Sequence, residues 1–349
     1  MNFWKTKLKI KNLEIPRIMP APMDGVIDSP LRQMIREFSK NELLFMEMRH
    51  VGGIANEKKN QSLTYEKNEH PLCFQFSANT LNYIEKAIER VLTKDNKISP
   101  RSHPFDSAEN GSTQGERRPF EMLNFNSCCP AKTVIGSGGG SALMAKPELL
   151  KEILLLFKKN IPDEMPFTLK IRAGYKEKNG FEIAMLAQEL GLDAVIIHPR
   201  TQPQMFSGDL DLEMVKKIKK ELSIPIIYSG NLIAFENLKN VYEETGVDGF
   251  MVGRALIGSP WKLEEIKSQM NNVDFNLTLE ETINIAIKHF NLSLKHHGPS
   301  GFFNFKKHLS GYIKSVKNAS EIRHKLISIN DPVEFETELK KITLEKNDN

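Results

Sequence analysis

The sequence has few cysteines and lacks a long apolar run, and both facts narrow what the protein can be. Its 349 residues include three cysteines, Cys73, Cys128 and Cys129, two of which are adjacent. This spacing fits neither a disulfide framework nor a zinc site, so we expect any special cysteine to be a reactive thiol. No apolar run approaches the roughly 20 residues that span a bilayer, and residues 1–7 lack a signal-peptide core. We therefore expect a cytoplasmic protein without membrane contact.

The net charge is also small, and only the distribution of charged residues is informative. The formal net charge is +4, which is too small to indicate a partner. Between Lys288 and Lys325, however, there are eight Lys or Arg residues and one acid, Glu321. Five of the nine histidines lie in the same stretch. We therefore expect one basic region near the C-terminus rather than a basic protein.

Short apolar segments alternate with amphipathic helical stretches over most of the chain. Such alternation predicts parallel βαβ units, and eight of them close a (β/α)8 TIM barrel. An open doubly wound sheet is the alternative, but its G-x-G-x-x-G fingerprint is missing after the first strand. The predicted strands are 18–19, 44–46, 72–74, 122–125, 167–169, 194–197, 224–227 and 250–252.

Two domains are expected, because single cores rarely grow beyond 250 to 300 residues. The barrel is predicted over residues 1–265, with an inserted polar loop at about 94–118, on the face away from the usual active site. Residues 270–349 are predicted to be helical only. Within them, Thr278 and Glu281 form a capping box, and Asp331 followed by Pro332 begins another helix.

Most of the predicted strands end beside a residue that can do chemistry, as the strands of barrel enzymes do. A barrel that needed only packing would have no reason to place polar groups at so many strand exits. The residues at these exits are Glu47, Gln75, Asn126 with Cys129, Lys170, His198, Gly230, and Gly253 with Arg254.

A thiol follows the fourth strand beside a glycine-rich loop. Cys129 lies in the tight turn 126–134, and glycines at 136 and 138–140 let the backbone approach a ligand closely. With a reference pKa of about 8.5, a cysteine is mostly protonated at pH 7. It can therefore act as a general acid as well as a nucleophile.

The last four strand exits predict a cofactor site with a phosphate-binding end. Ser229–Asn231 and Gly253–Arg254 follow strands 7 and 8, where TIM barrels commonly bind phosphate through free amides and a cation. Lys170 and His198 end strands 5 and 6. A lysine at such a place is costly unless it meets an anion or an electron-rich ring, so we expect both residues to contact a cofactor.

With these motifs in hand, the sequence resembles the tRNA-dihydrouridine synthases, flavin enzymes that reduce a uridine base in tRNA. The resemblance extends from Ile18 to about Leu339 and is interrupted at 94–118. It is carried by 21–28 (APMDGVID), 126–130 (NSCCP), 170–174 (KIRAG), 198–201 (HPRT), 229–231 (SGN), and 253–254 through 260–261.

The resemblance implies FMN over the barrel mouth. Gln75 and Lys170 would lie at the polar edge of its isoalloxazine ring, and His198 beside the ring. Three residues would lie along the ring: Pro22, Met23 and Asp24. Five residues would hold the phosphate: Ser229, Gly230, Asn231, Gly253 and Arg254.

The resemblance also implies the reaction and the RNA contacts. Hydride would add to C6 of uracil and a proton to C5, with Cys129 as the acid and NADPH or NADH as a transient electron donor. Asn126 and Arg200 would lie near the target base. The C-terminal domain would grip tRNA through Lys306, Lys307 and Arg323, and the enzyme would be a monomer.

The chain departs from the family pattern at several positions. The family commonly has glycine where this chain has Cys128 and Pro199, asparagine at Ser229 and an acidic residue at Asn231. Of the two adjacent cysteines, Cys129 is preferred as the proton donor because it directly precedes Pro130. Residues 23–28 and 132–140 favour the bacterial branch that modifies tRNA position 16. The alternatives are another FMN barrel that acts on a small molecule and a tRNA-folding aid without chemistry.

Overall fold

The chain begins with an antiparallel hairpin that precedes the barrel. It consists of β1 (Lys7–Ile10) and β2 (Leu13–Pro16), in which Leu8 pairs with Ile15. The computed structural model describes residues 3–58, 63–93, 119–314 and 316–344. The insertion predicted at 94–118 lies outside the described residues.

Eight parallel strands form a nearly closed barrel, which confirms the predicted TIM-barrel class. Their order is β3-β11-β10-β9-β8-β7-β6-β4, and β3 contacts β4 where the sheet closes; the short β5 pairs with β6. With the additional β5, the strands of this sheet are β3 (Ile18–Pro20), β4 (Leu44–Phe45), β5 (Arg49–His50), β6 (Leu72–Ser77), β7 (Met122–Ser127), β8 (Phe167–Gly174), β9 (Ala194–Thr201), β10 (Ile226–Ser229) and β11 (Gly249–Val252).

Helices follow the strands and cover the outside of the barrel. Two of them begin at an aspartate cap: the Asp28 carboxylate accepts the Leu31 amide, and the Asp211 carboxylate accepts the Met214 amide. These helices are α1 (Ser29–Phe38), α2 (Val51–Asn56), α3 (Ile84–Leu92), α4 (Lys132–Gly136), α5 (Pro147–Asn160), α6 (Gly180–Glu189), α7 (Leu212–Glu221), α8 (Phe235–Thr245) and α9 (Lys262–Met270).

Two apolar clusters build the barrel and leave its carboxyl end polar. One cluster lies between the strands and the surrounding helices. The other fills the amino end of the barrel, where Leu8 and Ile15 of the hairpin pack on Met19, Met122 and Met251. Our sequence analysis missed this hairpin, although the alternation of lysine with apolar residues at 7–10 is a strand signal. Because the hairpin closes the amino end, the carboxyl end is the open mouth.

The C-terminal part is helical and has its own apolar cluster. Phe290, Phe305 and Phe335 are among its buried side chains. The predicted capping box is present, since Thr278 Oγ1 accepts the Glu281 amide at 3.1 Å. The exact domain boundaries stay a prediction. The helices are α10 (Leu279–His297), α11 (Ser300–Lys306), α12 (Leu309–Tyr312), α13 (Ala319–Ser328) and α14 (Pro332–Leu344).

The C-terminal helices pack directly on the barrel beside its mouth. Helix α10 packs against α1, and His297 Nε2 lies 2.8 Å from Asp28 Oδ2. Lys307 Nζ donates to the Gly25 carbonyl at 2.9 Å. The basic stretch is thereby placed next to the loop after β3. Within the described ranges, no helix is both long and apolar enough to cross a bilayer.

Candidate active site

Amide side chains on β6 and β7 and a threonine hydroxyl on β8 form a hydrogen-bonded belt inside the carboxyl end of the barrel. Gln75 Nε2 donates to Asn124 Oδ1 at 2.7 Å, and Asn124 Nδ2 donates to Thr168 Oγ1 at 2.8 Å. Nearer the mouth, Asn126 Nδ2 donates to Gln75 Oε1 at 2.9 Å. Strand register pairs Gln75 with Asn124 and Asn124 with Thr168. Because buried amides are costly without partners, this belt orients Gln75 and Asn126.

Cys129 is held through its backbone from two sides. Asn126 Oδ1 accepts the amides of Cys128 and Cys129 at 3.0 and 2.9 Å. The Cys129 carbonyl accepts both the amide and the hydroxyl of Ser141 at 3.0 Å. Gly140 has φ +55°, and a Cβ there would come within 2.6 Å of the same carbonyl, so only glycine fits. Burial raises the pKa of the half-buried Cys129 thiol, which keeps it protonated at neutral pH.

Lys170 brings a buried positive charge to the barrel mouth. Strand register pairs it with Asn126, and its side chain is 7% exposed. Its Nζ donates to Cys128 Sγ at 3.0 Å, which is the hydrogen bond that this side chain makes within the described residues. Sulfur is a weak acceptor, so the ammonium retains the capacity to bind an anion or an electron-rich group.

His198 lies at the exit of β9 with an unused ring nitrogen. The residue is 8% exposed, and within the described ranges its buried Nδ1 has no hydrogen-bond partner. Burial, and next the charges of Lys170 and Arg172, lower the pKa of His198 to about 2. The imidazole is therefore neutral at pH 7. A neutral imidazole and a buried ammonium at adjacent strand exits fit a polar, conjugated ligand.

Arg172 organises the mouth, and the sequence analysis gave it no role. It is 1% exposed, and its Nε donates to the Cys128 carbonyl at 3.0 Å. Its two terminal nitrogens donate to the carbonyls of Thr201 and Met205 at 2.7 and 2.6 Å. Arg172 thereby connects the cysteine segment to the loop after β9. Its signal in the sequence was a second cation two residues after Lys170, on the same face of the strand.

The residues predicted to bind phosphate meet at the ends of β10 and β11. Ser229 is 6% exposed, and after it Gly230 and Asn231 turn with φ +150° and +50°. Asn231 Oδ1 accepts from Arg200 Nη1 at 3.2 Å and from Arg254 Nη2 at 3.5 Å. Two guanidinium groups therefore share one neutral acceptor, which fits an anion site. Arg200, predicted near the target base, lies with this group.

Two loops border the mouth opposite the cysteine segment. One follows β3, and the other begins after β11. A Cβ built on Gly253 would lie 3.7 Å from Met23 Sδ, which is ordinary contact distance. The Gly25 amide donates to Glu47 Oε1 at 2.7 Å. This contact fixes the end of the predicted cofactor loop, which consists of Pro22, Met23 and Asp24.

A cavity of about 380 Å³ lies beside the cysteine segment, on the same face of the barrel. Arg49, His50 and Thr133 are among its polar walls. Arg49 Nη2 donates to Glu47 Oε2 at 2.7 Å, so its charge is partly balanced. Among the predicted site residues, Asp24 lines this cavity and Cys129 does not.

The three basic residues predicted to contact tRNA make intramolecular contacts. Lys306 Nζ donates to two carbonyls at the end of α13, and Arg323 Nη1 donates to the Ile313 carbonyl at 2.6 Å. These two side chains stabilise the helical region itself. Lys307 is exposed and faces the barrel through Gly25. Contact of all three with tRNA stays a prediction.

Comparison with known proteins identifies the family. A family model described as "Dihydrouridine synthase (Dus)" matches residues 19–98 and 104–347. The chain belongs to the dihydrouridine synthase family. A probable tRNA-dihydrouridine synthase of Rickettsia conorii is 27% identical over 335 residues, which cover 93% of each chain. The tRNA-dihydrouridine synthase B of Pasteurella multocida is 29% identical over 325 residues, 91% of this chain and 90% of that protein. The family consists of oxidoreductases, as the sequence analysis predicted.

Solved structures with the same fold are more distant in sequence. Morphinone reductase superposes with a TM-score of 0.53 at 12% identity, covering 79% of this chain and 92% of that one. An old yellow enzyme homologue from Zymomonas mobilis gives a TM-score of 0.54 at 11% identity, covering 79% and 94%. At these identities the likeness concerns the barrel fold alone.

Proposed function

We propose that this enzyme reduces a uridine in tRNA to 5,6-dihydrouridine, with FMN bound at the barrel mouth and NADPH or NADH as the electron donor. The family and the names of the relatives support the substrate class. The observation that carries the proposal is the backbone clamp that holds Cys129 beside the buried Lys170 at the open end of the barrel. The modified position, predicted as 16, stays a prediction.

Cys129 is the proposed acid. Bound, reduced FMN would supply a hydride to C6 of uracil, the electrophilic end of the conjugated ring. The Cys129 thiol would give its proton to C5, and burial keeps that proton on sulfur until the transfer. The backbone clamp by Asn126 and Ser141 limits where the sulfur can lie, so the orientation is set before the base arrives.

The remaining mouth residues fit the two ends of FMN. Lys170, His198 and Gln75 present an ammonium, a neutral imidazole and an oriented amide to a polar ring. At the other end, Arg200 and Arg254 with the turn 229–231 suit a phosphate dianion. The unused Nδ1 of His198 is the best support for a bound partner, since buried polar atoms are rarely left unpaired.

The C-terminal helices are proposed to hold the tRNA. A uridine stacked in folded RNA must swing out to reach Cys129, at a cost of a few kcal/mol, and phosphate contacts would offset that cost. Lys307 is exposed beside the mouth, which is where an RNA backbone would pass. Binding of tRNA should therefore weaken steeply as salt concentration rises.

The decisive experiment is mass mapping of dihydrouridine in tRNA from cells with and without this protein, together with an assay of the purified enzyme. We expect the purified enzyme to release FMN on denaturation. We also expect it to restore dihydrouridine to the deficient tRNA when NADPH or NADH is supplied.

Two outcomes would overturn the proposal and separate its rivals. Bound flavin with reduction of a small molecule but not of tRNA would indicate another FMN oxidoreductase. Tight tRNA binding without flavin and without dihydrouridine would indicate a folding aid.

A further inference from the structure

The sulfur of Cys128 and the ammonium of Lys170 form a buried contact that the proposed reaction does not use. Nζ and Sγ are 3.0 Å apart, and the two residues are 7% and 5% exposed. Cys129 is the proposed acid, so the thiol of Cys128 has no assigned part in the reaction.

The backbone of Cys128 is held by hydrogen bonds that do not involve Lys170. The Cys128 amide donates to Asn126 Oδ1 at 3.0 Å, and the Cys128 carbonyl accepts from Arg172 Nε at 3.0 Å. The Cys128 amide is thereby tied to the end of its own strand, β7, and the Cys128 carbonyl to the neighbouring strand, β8. Lys170 instead has a flexible four-carbon stem, and its ammonium can take several positions unless something holds it.

We propose that Cys128 is a positioning residue that holds the Lys170 ammonium at the flavin site. The inference rests on the proposed function, because it assumes that FMN binds at this mouth. A thiol is a neutral and weak acceptor, so it directs the ammonium without cancelling its charge. A carboxylate at the same place would form an ion pair and withdraw the charge from the ligand.

The contact also leaves the ammonium able to bind. An ammonium has three N–H donors, and one of them is directed at the sulfur. The orphan Nδ1 of His198, on the next strand, independently marks this place as one that receives a polar partner. Two donors of Lys170 thus remain for that partner, with their direction set by Cys128.

The test is a double-mutant cycle measured by FMN titration of the apoprotein and by the reduction potential of the bound flavin. The variants are Cys128→Ala, Lys170→Met and the double variant. Cys128→Ser keeps a neutral acceptor. Cys73→Ala is the matched control, since that buried thiol lies in the cluster at the amino end of the barrel.

We expect Cys128→Ala to weaken FMN binding about fivefold, as the loss of one hydrogen bond does, and to make the reduction potential more negative. Cys128→Ser should restore most of the affinity, and Cys73→Ala should change neither quantity. In the Lys170→Met background, Cys128→Ala should have no further effect. Thermal melting checks that each variant is folded. If Cys128→Ala is not folded, Cys128→Gly takes its place.

The inference would be overturned if Cys128→Ala bound FMN with the affinity and the reduction potential of the wild type. It would also be overturned if Cys128→Ala lowered FMN affinity as much in the Lys170→Met background as in the wild type. Either result would leave the proposed function intact. A wild-type protein that binds no FMN would instead overturn both proposals together, so the two failures are distinguishable.

Discussion

Single side chains at the barrel mouth owe their chemical state to burial and to fixed neighbours. Burial raises the pKa of Cys129, whereas burial and nearby cations lower the pKa of His198 to about 2. One residue is therefore a proton donor at neutral pH and the other a neutral hydrogen-bonding group. Such opposite shifts within one pocket are typical of active sites.

The first prediction concerns which of the adjacent thiols is the acid. Cys129→Ala should lower the single-turnover rate of dihydrouridine formation by about 10² to 10⁴, the usual contribution of a positioned general acid, and should keep its flavin. Cys128→Ala, assayed with saturating FMN, should remain active, and Cys73→Ala, which removes a buried thiol at the amino end of the barrel, is the matched control. The reverse pattern would assign the acid to Cys128.

The second prediction is the pH dependence of the same step. Because burial raises the pKa of Cys129 above its ordinary 9.0, the thiol stays protonated through neutral pH and loses its proton only in more alkaline solution. The single-turnover rate should therefore be flat around neutrality and fall only above pH 9. A fall that begins well below pH 9 would contradict this reading of the acid.

At the scale of elements, the C-terminal helices pack on the barrel through a close contact between two backbone segments. Gly258 follows the last barrel strand and has φ +64°, and a Cβ there would lie 1.9 Å from the His308 carbonyl. A Cβ on Gly311, in α12, would lie 2.0 Å from the Ile257 carbonyl. Two segments that approach this closely tolerate no side chain, so their packing is specific.

The third prediction tests this crossing. Gly311→Ala should lower the free energy of unfolding by about 1 to 3 kcal/mol, because the added methyl group overlaps a backbone carbonyl that cannot move freely. Gly53→Ala is the control, since a Cβ there meets nothing within 4 Å and α2 is helical. Chemical denaturation of both variants measures the difference. Equal stability of Gly311→Ala and the wild type would refute the close packing.

For the whole molecule, the important arrangement is that the C-terminal helices join the barrel at the mouth. His297 of α10 contacts Asp28 at the start of α1, and Lys288 Nζ contacts Glu37 Oε1 at 2.6 Å. The His297 contact, together with that of Lys307 on Gly25, places part of the basic stretch beside the loop after β3.

The fourth prediction concerns the Asp28–His297 contact. Burial alone would raise the pKa of Asp28, but the hydrogen bond from His297, the electrostatic influence of His289 and the hydrogen bond from the Leu31 amide outweigh it and hold the pKa at about 2, below the ordinary 3.8. The contribution to stability is therefore complete above pH 3.8 and is lost as the pH falls through about 2.

Unfolding free energies measured from pH 5 downwards should fall more steeply for the wild type than for Asp28→Asn, which has no carboxylate to protonate. Asp274→Asn, on an exposed carboxylate, should retain the wild-type slope. Parallel curves for the wild type and Asp28→Asn would show that this contact does not contribute.

Much of the fold could be predicted because its signals are local. The eight apolar segments all became barrel strands, and helices lie between them as the alternation predicted. The capping residues Thr278 and Asp331 act where their sequence patterns indicated. The hairpin at 7–16 was missed because its strands are short and its burial depends on the barrel it closes.

The sequence by itself determined the alternation of strands and helices and the residues at the strand exits, because periodicity and turn chemistry act over a few positions. Only the tertiary structure decided which of those residues meet. Lys170 reaches Cys128, and Arg172 joins the loops after β7 and β9, through contacts between segments 30 to 45 residues apart. Such contacts depend on strand register and barrel closure, which no local pattern encodes.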